Sequence, residues 1–215
     1  IEPRTVLRDH VLEAVTGDDA ERVCRLLSVL RGVDGRLAVV MHDNPDPYAI
    51  ASALALVLIA HSVGTDADAC YYGDISHQEN RALVNLLDLD LCNFATDEEI
   101  EAYQGVALVD HSRPGVNDGL DPETAVDVVI DHHPPRASVE ARFIDLRTDV
   151  GATSTLLAAY LEHLDLDPGR GVATALLYGI RIDTREFTRE TVDADFEAAA
   201  YLHPHVDESV LERVE

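Results

Sequence analysis

The chain contains no lysine and no tryptophan, and only one methionine and three cysteines in 215 residues. Every basic side chain is therefore an arginine, and 16 of them face 41 acids, for a formal net charge of -25. That balance excludes a broad basic surface. With aromatics at 5%, the sequence also lacks the pairing of basic groove and stacking rings that holds long single-stranded nucleic acid. Cys24, Cys70 and Cys92 are widely spaced and form no CxxC pair. A zinc knuckle and a disulfide framework are thus not indicated, and a reducing cytoplasm fits. No secretory signal is visible. The longest apolar run, from Ala49 to Ala60, is too short for the roughly 20 residues a membrane span needs and reads as a buried helix. The opening on Ile1 leads us to expect a fragment or a processed chain.

The acids are spread along the whole length rather than gathered in blocks. Such a surface repels itself in dilute salt. At about 1 M salt the Debye length falls to roughly 3 Å and the repulsion largely vanishes. The distribution points to a halophilic, cytoplasmic protein rather than to one acidic docking face. An anionic substrate is not excluded, because locally bound divalent ions override a distant negative surface.

The hydrophobic fraction of 47% supports one sizeable core. Residues 1–35 read as a helical segment, broken at Thr16-Gly17-Asp18-Asp19 and resumed with Val23, Leu26, Leu27 and Leu30 at helical spacing. "RLAVVMH" (36–42) is a short run rich in β-branched residues, bounded by turn signals, and predicts a buried parallel strand. A helix follows over 48–64. Strands are then expected at 67–73, 105–112 and 125–133, with an edge strand at 141–146. Further helices are expected at 76–88 opened by Ser76, at 149–164 capped by Asp149, and from 169 to about Gly179 with Asp183 just beyond; two more helical stretches follow. Alternation of this kind predicts a doubly wound, mostly parallel α/β sheet flanked by helices.

Three expected strands end in ligand-type residues: His42 with Asp46, Asp110, and Asp131 with His132 and His133. The carboxyl ends of strands in an open α/β sheet border the binding crevice, so residues far apart in sequence are expected to meet there, with Asp183 joining from a helix end. His and Asp without Cys suit Mn²⁺ or a similar divalent ion better than structural zinc. Taken singly, Asp43 and Asp110 read as turn or N-cap residues. Two adjacent imidazoles after an apolar strand are harder to explain as packing, and Asp131 is placed to brace them. The other histidines, His111 among them, read as surface or packing residues.

In order, "HDNPDPYAIAS", "ALVDHS", "VVIDHHPP" and "YGIRIDTREF", with "GATSTLL" before the last, resemble the motifs of the DHH phosphoesterase superfamily, named for the triplet standing here as Asp131-His132-His133. The resemblance runs over about residues 36–205. It implies a two-metal site, with Mn²⁺ preferred and Mg²⁺ as the alternative. One ion would be held by His42, Asp46 and Asp110, the other by Asp110 as a bridge, His132 and Asp183. His133 would face the substrate phosphate, with Asp131 beside it as a catalytic residue. The implied reaction is hydrolysis of phosphodiester or phosphoanhydride bonds in small nucleotides, short oligonucleotides or cyclic dinucleotides. Exopolyphosphatase or pyrophosphatase activity is an alternative. The partners are then a phosphate-containing small molecule or short oligonucleotide and no membrane, and a homodimer is compatible.

Two departures stand out. The first motif of the family carries a second metal-ligating Asp where this chain has Tyr48, a phenol with a reference pKa near 10. A non-catalytic sensing domain that binds metal and nucleotide, with a degraded second ion site, is therefore the competing reading. A domain that only mediates assembly is a third. Catalytic members also carry a further C-terminal substrate-binding domain, and residues 206–215 would be the start of a linker towards it.

Overall fold

The computed structural model describes residues 18–214, so the helix expected over residues 1–17 lies outside the described residues. Helix α1 (Asp18–Arg31) leads into β1 (Arg36–Val40), α2 (Pro47–Ser62), β2 (Asp66–Tyr72), α3 (Gln78–Leu86) and β3 (Cys92–Phe94). Then come β4 (Gly105–Val109), β5 (Val128–Asp131) and β6 (Phe143–Leu146), followed by α4 (Thr153–His163), α5 (Gly169–Asp183), α6 (Asp193–Leu202) and α7 (Glu208–Val214). The six strands form one sheet in the order β3-β2-β1-β4-β5-β6, and every pairing is parallel. This is the doubly wound α/β architecture. Its strand order reverses between β1 and β4, and a crevice opens there beyond the carboxyl ends of the strands.

The strands are apolar on both faces because both faces are covered. Leu37 and Val39 pack into the main core with α2, α4 and α5. Ala38 and Val40 point the other way, against Cys70, Leu108 and Val129, under a cover that includes Leu120, Val126 and the partly buried Ile100 and Tyr103. Helix α2 is central. Pro47 opens it, its proline ring suited to a first turn that needs no donor, and most of its residues are buried.

Several boundaries differ from those expected, each for a packing reason. Helix α5 runs through Gly179 to Asp183. A glycine there reads as a stop, but it marks a close crossing: a Cβ at Gly179 would lie 2.9 Å from Tyr48 Cα and 2.7 Å from Ser154 Oγ. Asp183 is thus the last residue of the helix rather than a residue beyond it. Helix α4 starts at Thr153, not near Asp149. Its entry is pinned by Asp195, a buried carboxylate that accepts from Gly151 N at 3.0 Å, Thr155 Oγ1 at 2.6 Å and Val192 N at 2.8 Å. Ser76 does not open α3, because its N and Oγ both donate to Asn44 Oδ1 at 2.7 Å. The three-residue β3 on the sheet edge is an element with too short an apolar pattern to be read in advance. No described helix is long and apolar enough to cross a membrane.

Candidate metal centre

The turn after β1 carries His42, and the residue after β4 is Asp110, so the two meet where the strand order reverses. His42 Nδ1 lies 2.9 Å from the Asp43 carbonyl. A ring that donates there leaves Nε2 as the free acceptor, and His42 Nε2 lies 3.9 Å from Asp46 Oδ2 and 3.9 Å from Asp110 Oδ2. Asp110 is buried and sits at φ +63°, a left-handed conformation that Asp tolerates better than most residues. Its backbone N–H donates to the Ile130 carbonyl at 3.0 Å, tying it to β5. Its other carboxylate oxygen, Oδ1, accepts from Thr153 Oγ1 at 2.7 Å and lies 4.0 Å from His132 Nε2. One buried carboxylate therefore faces an imidazole on each side.

Thr153 also receives the His132 backbone N–H at 3.3 Å, so the first residue of α4 locks the two candidate ligands together. His132 Nδ1 is 3.5 Å from the Val150 carbonyl. On the far side, His132 Nε2 and Asp183 Oδ2 approach to 3.2 Å, yet both are buried and neither makes an aligned hydrogen bond. In the tautomer that carries its proton on Nδ1, these are two acceptors facing each other. Orphaned buried acceptors are costly, and a divalent cation is the partner that this donor set fits.

The charges conform to this arrangement. Burial pushes the Asp110 carboxyl above its ordinary range, and His133 and the Thr153 hydrogen bond pull it partly back. His133 is bound at Nδ1 to Asp131 Oδ1 at 2.8 Å, and that hydrogen bond, working against burial, lifts it to about 9. The Asp131 hydrogen bond thus favours the protonated form of its half-exposed ring. The ligand-capable atoms of Asp110, His132 and His133 all lie within 4.8 Å of one another, a group able to hold a metal ion. Asp110 and His133 border, with His42 and Asp46, a cleft of about 380 Å³.

Tyr48 stands in the first turn of α2. Its hydroxyl donates to Asp46 Oδ2 at 2.8 Å, the same oxygen that faces His42. Burial, with the Asp46 hydrogen bond and charge behind it, pushes the phenol well above its ordinary range. Tyr48 is accordingly a neutral donor and supplies no anionic ligand.

The structure brings together His42, Asp46, Asp110, His132 and Asp183, with Asp131 and His133 at the rim. Sequence reasoning assigned no role to Thr153, since a threonine in the first turn of a helix is unexceptional. It likewise missed Arg113 and Arg136, which line the cleft. His111, expected to be surface or packing, lines it as well, with Nδ1 2.9 Å from the Val109 carbonyl and Nε2 2.9 Å from Asp118 Oδ2.

A parallel α/β sheet whose strand ends, with the end of α5, gather three carboxylates and two imidazoles into one cluster defines a protein with a candidate divalent-metal centre. Residues 36–180 match the sequence model of the DHH family, N-terminal domain; the chain belongs to the DHH family. It is 40% identical over 205 residues to an uncharacterized protein of Methanocaldococcus jannaschii, covering 95% of this chain and 42% of that one. It is 30% identical over 173 residues to a "probable manganese-dependent inorganic pyrophosphatase" of Bacillus pumilus, covering 77% of this chain and 55% of the relative. The fold matches the crystal structure of an exopolyphosphatase-related protein from Bacteroides fragilis with a TM-score of 0.74 at 16% identity, over 90% of this chain and 59% of that chain. The chain thus spans about half the length of the curated relatives it matches.

Proposed function

We propose that this chain is the metal-binding half of a divalent-metal-dependent phosphoesterase that hydrolyses phosphodiester or phosphoanhydride bonds in small phosphate-containing molecules or short oligonucleotides. The observation that carries the reading is Asp110, with one oxygen 3.9 Å from His42 Nε2 and the other 4.0 Å from His132 Nε2. His42, Asp46 and Asp110 form one ion position, and Asp110, His132 and Asp183 form the other. Mn²⁺ is the preferred ion, in keeping with the manganese dependence named for the Bacillus pumilus relative, and Mg²⁺ is the alternative.

Bound divalent ions supply charge neutralisation at the phosphoryl oxygens and activation of a water nucleophile. The remaining work falls to the chain. Asp110 and Thr153 hold the ligand geometry, and Asp131 orients His133 through Nδ1. The protonated His133 ring then offers a charge-assisted hydrogen bond to a phosphate oxygen. The acidic surface belongs to a salt-rich cytoplasm.

A second reading has an observation of its own. Tyr48 donates to Asp46 Oδ2, so the site has one fewer anion to offset the mutual repulsion of two cations. Under that reading the chain binds one ion and a nucleotide without turnover. The test is a hydrolysis screen over pyrophosphate, polyphosphate, dinucleotides and cyclic dinucleotides with Mn²⁺ in molar KCl. Mn²⁺-dependent release that His132→Ala abolishes supports the enzyme. Tight Mn²⁺ and nucleotide binding with no hydrolysis supports the sensor.

A further inference from the structure

The three cysteines are free thiols in three different settings. Cys24 is exposed on α1, Cys70 is buried in β2, and Cys92 is half-buried at the start of β3. Cys70 and Cys92 are distant in sequence, yet they are partners in the parallel register of β2 and β3. Paired residues on neighbouring strands project to the same face and lie about 4.7–4.9 Å apart, inside the ~4.4–6.8 Å between Cα atoms that a disulfide spans. Both sulfurs belong to the second core layer, where Cys70 is fully enclosed and Cys92 packs against the cluster together with Tyr103.

The pair sits where the sheet has room to adjust. Strand β3 is the outermost strand and is three residues long. Beyond its ladder to β2, Asn93 Nδ2 donates to the Gly73 carbonyl at 2.6 Å. So short an edge strand can close the small distance a bridge requires without moving the central strands.

A proton acceptor stands beside the thiols. The Tyr103 hydroxyl donates to Asp68 Oδ2 at 2.7 Å, and its oxygen lies 3.9 Å from Cys92 Sγ. Burial and the Asp68 hydrogen bond push the phenol above its ordinary range. It therefore keeps its own proton and turns an oxygen lone pair to the thiol. Arg36 pairs with Asp68 and lies over the Tyr103 ring, 4.9 Å from its centroid. A thiol proton can thus pass through Tyr103 to a carboxylate whose charge Arg36 balances. Burial, with the Cys92 thiol beside it, pushes the Cys70 thiol up, so the more exposed Cys92 meets an oxidant first. None of these side chains belongs to the metal centre: Arg36 opens β1 and Cys92 opens β3, whereas the metal centre lies beyond the carboxyl ends of the strands.

We propose that Cys70 and Cys92 are a reversible modification site, an oxidisable pair that a hydroperoxide converts into a disulfide. The Cys92 thiolate attacks a peroxide oxygen; an S–O bond forms, the O–O bond breaks, and the departing oxyanion takes up the proton that the thiol released. The Cys70 sulfur then attacks the Cys92 sulfenic acid; the S–S bond forms, the S–O bond breaks, and hydroxide leaves as water with the Cys70 proton. Two thiols are oxidised, and the hydroperoxide is reduced to an alcohol and water, or to two waters for hydrogen peroxide. The bridge ties the edge strand covalently to β2. Thiol–disulfide exchange with the reductants of a cytoplasm returns the pair to two thiols.

The test treats the parent and Cys24→Ser chains, folded in molar KCl, with hydrogen peroxide. After the peroxide is removed, excess iodoacetamide is added in denaturant and the peptides are mapped by mass spectrometry, with and without dithiothreitol. The expected result in both chains is joint loss of the two thiols, a mass lower by two hydrogens at this pair, and one linked peptide pair containing Cys70 and Cys92. Dithiothreitol should restore both thiols. Cys70→Ser in the Cys24→Ser background should form no bridge and hold Cys92 as a sulfenic acid that dimedone traps. Full alkylation of Cys70 and Cys92 after peroxide overturns the proposal. So does oxygen added at Cys92 in the parent while Cys70 stays free, or a bridge that joins two chains.

Discussion

Replacing Thr153 with valine removes one hydroxyl and keeps the β-branched shape at the start of α4. That hydroxyl donates to Asp110 Oδ1 at 2.7 Å and accepts from the His132 backbone at 3.3 Å. It is fully enclosed, so no solvent replaces it. A hydrogen bond to a charged acceptor contributes about 1.5–3 kcal/mol, and partners that orient metal ligands typically account for a 10- to 100-fold change in ion affinity. Thr153→Val should therefore weaken Mn²⁺ binding by about tenfold or more and lower the ion-free stability by about 1.5–3 kcal/mol. Thr153→Ser should keep most of both, since it retains the hydroxyl. Calorimetric Mn²⁺ titration and denaturant unfolding, at one fixed salt concentration, measure the two effects. Parent-like affinity in Thr153→Val would refute the claim that this hydroxyl holds Asp110 and His132 in register.

Tyr48→Asp should convert a strong and a weak Mn²⁺ site into two strong ones and raise any Mn²⁺-dependent hydrolysis; two equally tight sites in the parent would show that Tyr48 costs nothing. Asp195→Ala leaves Gly151 N, Val192 N and Thr155 Oγ1 without their buried acceptor. It should destabilise the chain by about 3 kcal/mol or more, and a loss under about 1 kcal/mol in a denaturant melt would count against its role in fixing the α4 entry. With a net charge of -25, the melting temperature should climb from dilute to about molar KCl as screening removes self-repulsion. A flat profile would contradict that reading of the composition.

The sheet was legible because its strands are short apolar runs that end abruptly in polar residues. "RLAVVMH", "GVALVDHS" and "AVDVVIDHH" announce β1, β4 and β5, and their ends announce His42, Asp110 and His132. Parallel pairing then carries these residues to one edge. What escaped was set by contacts at long sequence separation. Gly179 looks like a helix stop until α2 is known to cross there. Asp195 looks like an ordinary first-turn acid until it is seen to reach Gly151, 44 residues away. Thr153 and Asp110 are 43 residues apart and meet only because β4 lies next to β5. Arg113 was lost among scattered arginines, because its place on the wall of the cleft is set only by the fold.

Whether Asp110 serves two ion positions is measured most directly by the anomalous scattering of crystals grown with Mn²⁺. It should show a full peak flanked by His42, Asp46 and Asp110, and a second, weaker peak flanked by Asp110, His132 and Asp183, strengthened to full occupancy in Tyr48→Asp. An absence of Mn²⁺ from both sides of Asp110, with the ion held elsewhere or nowhere, would contradict that double role.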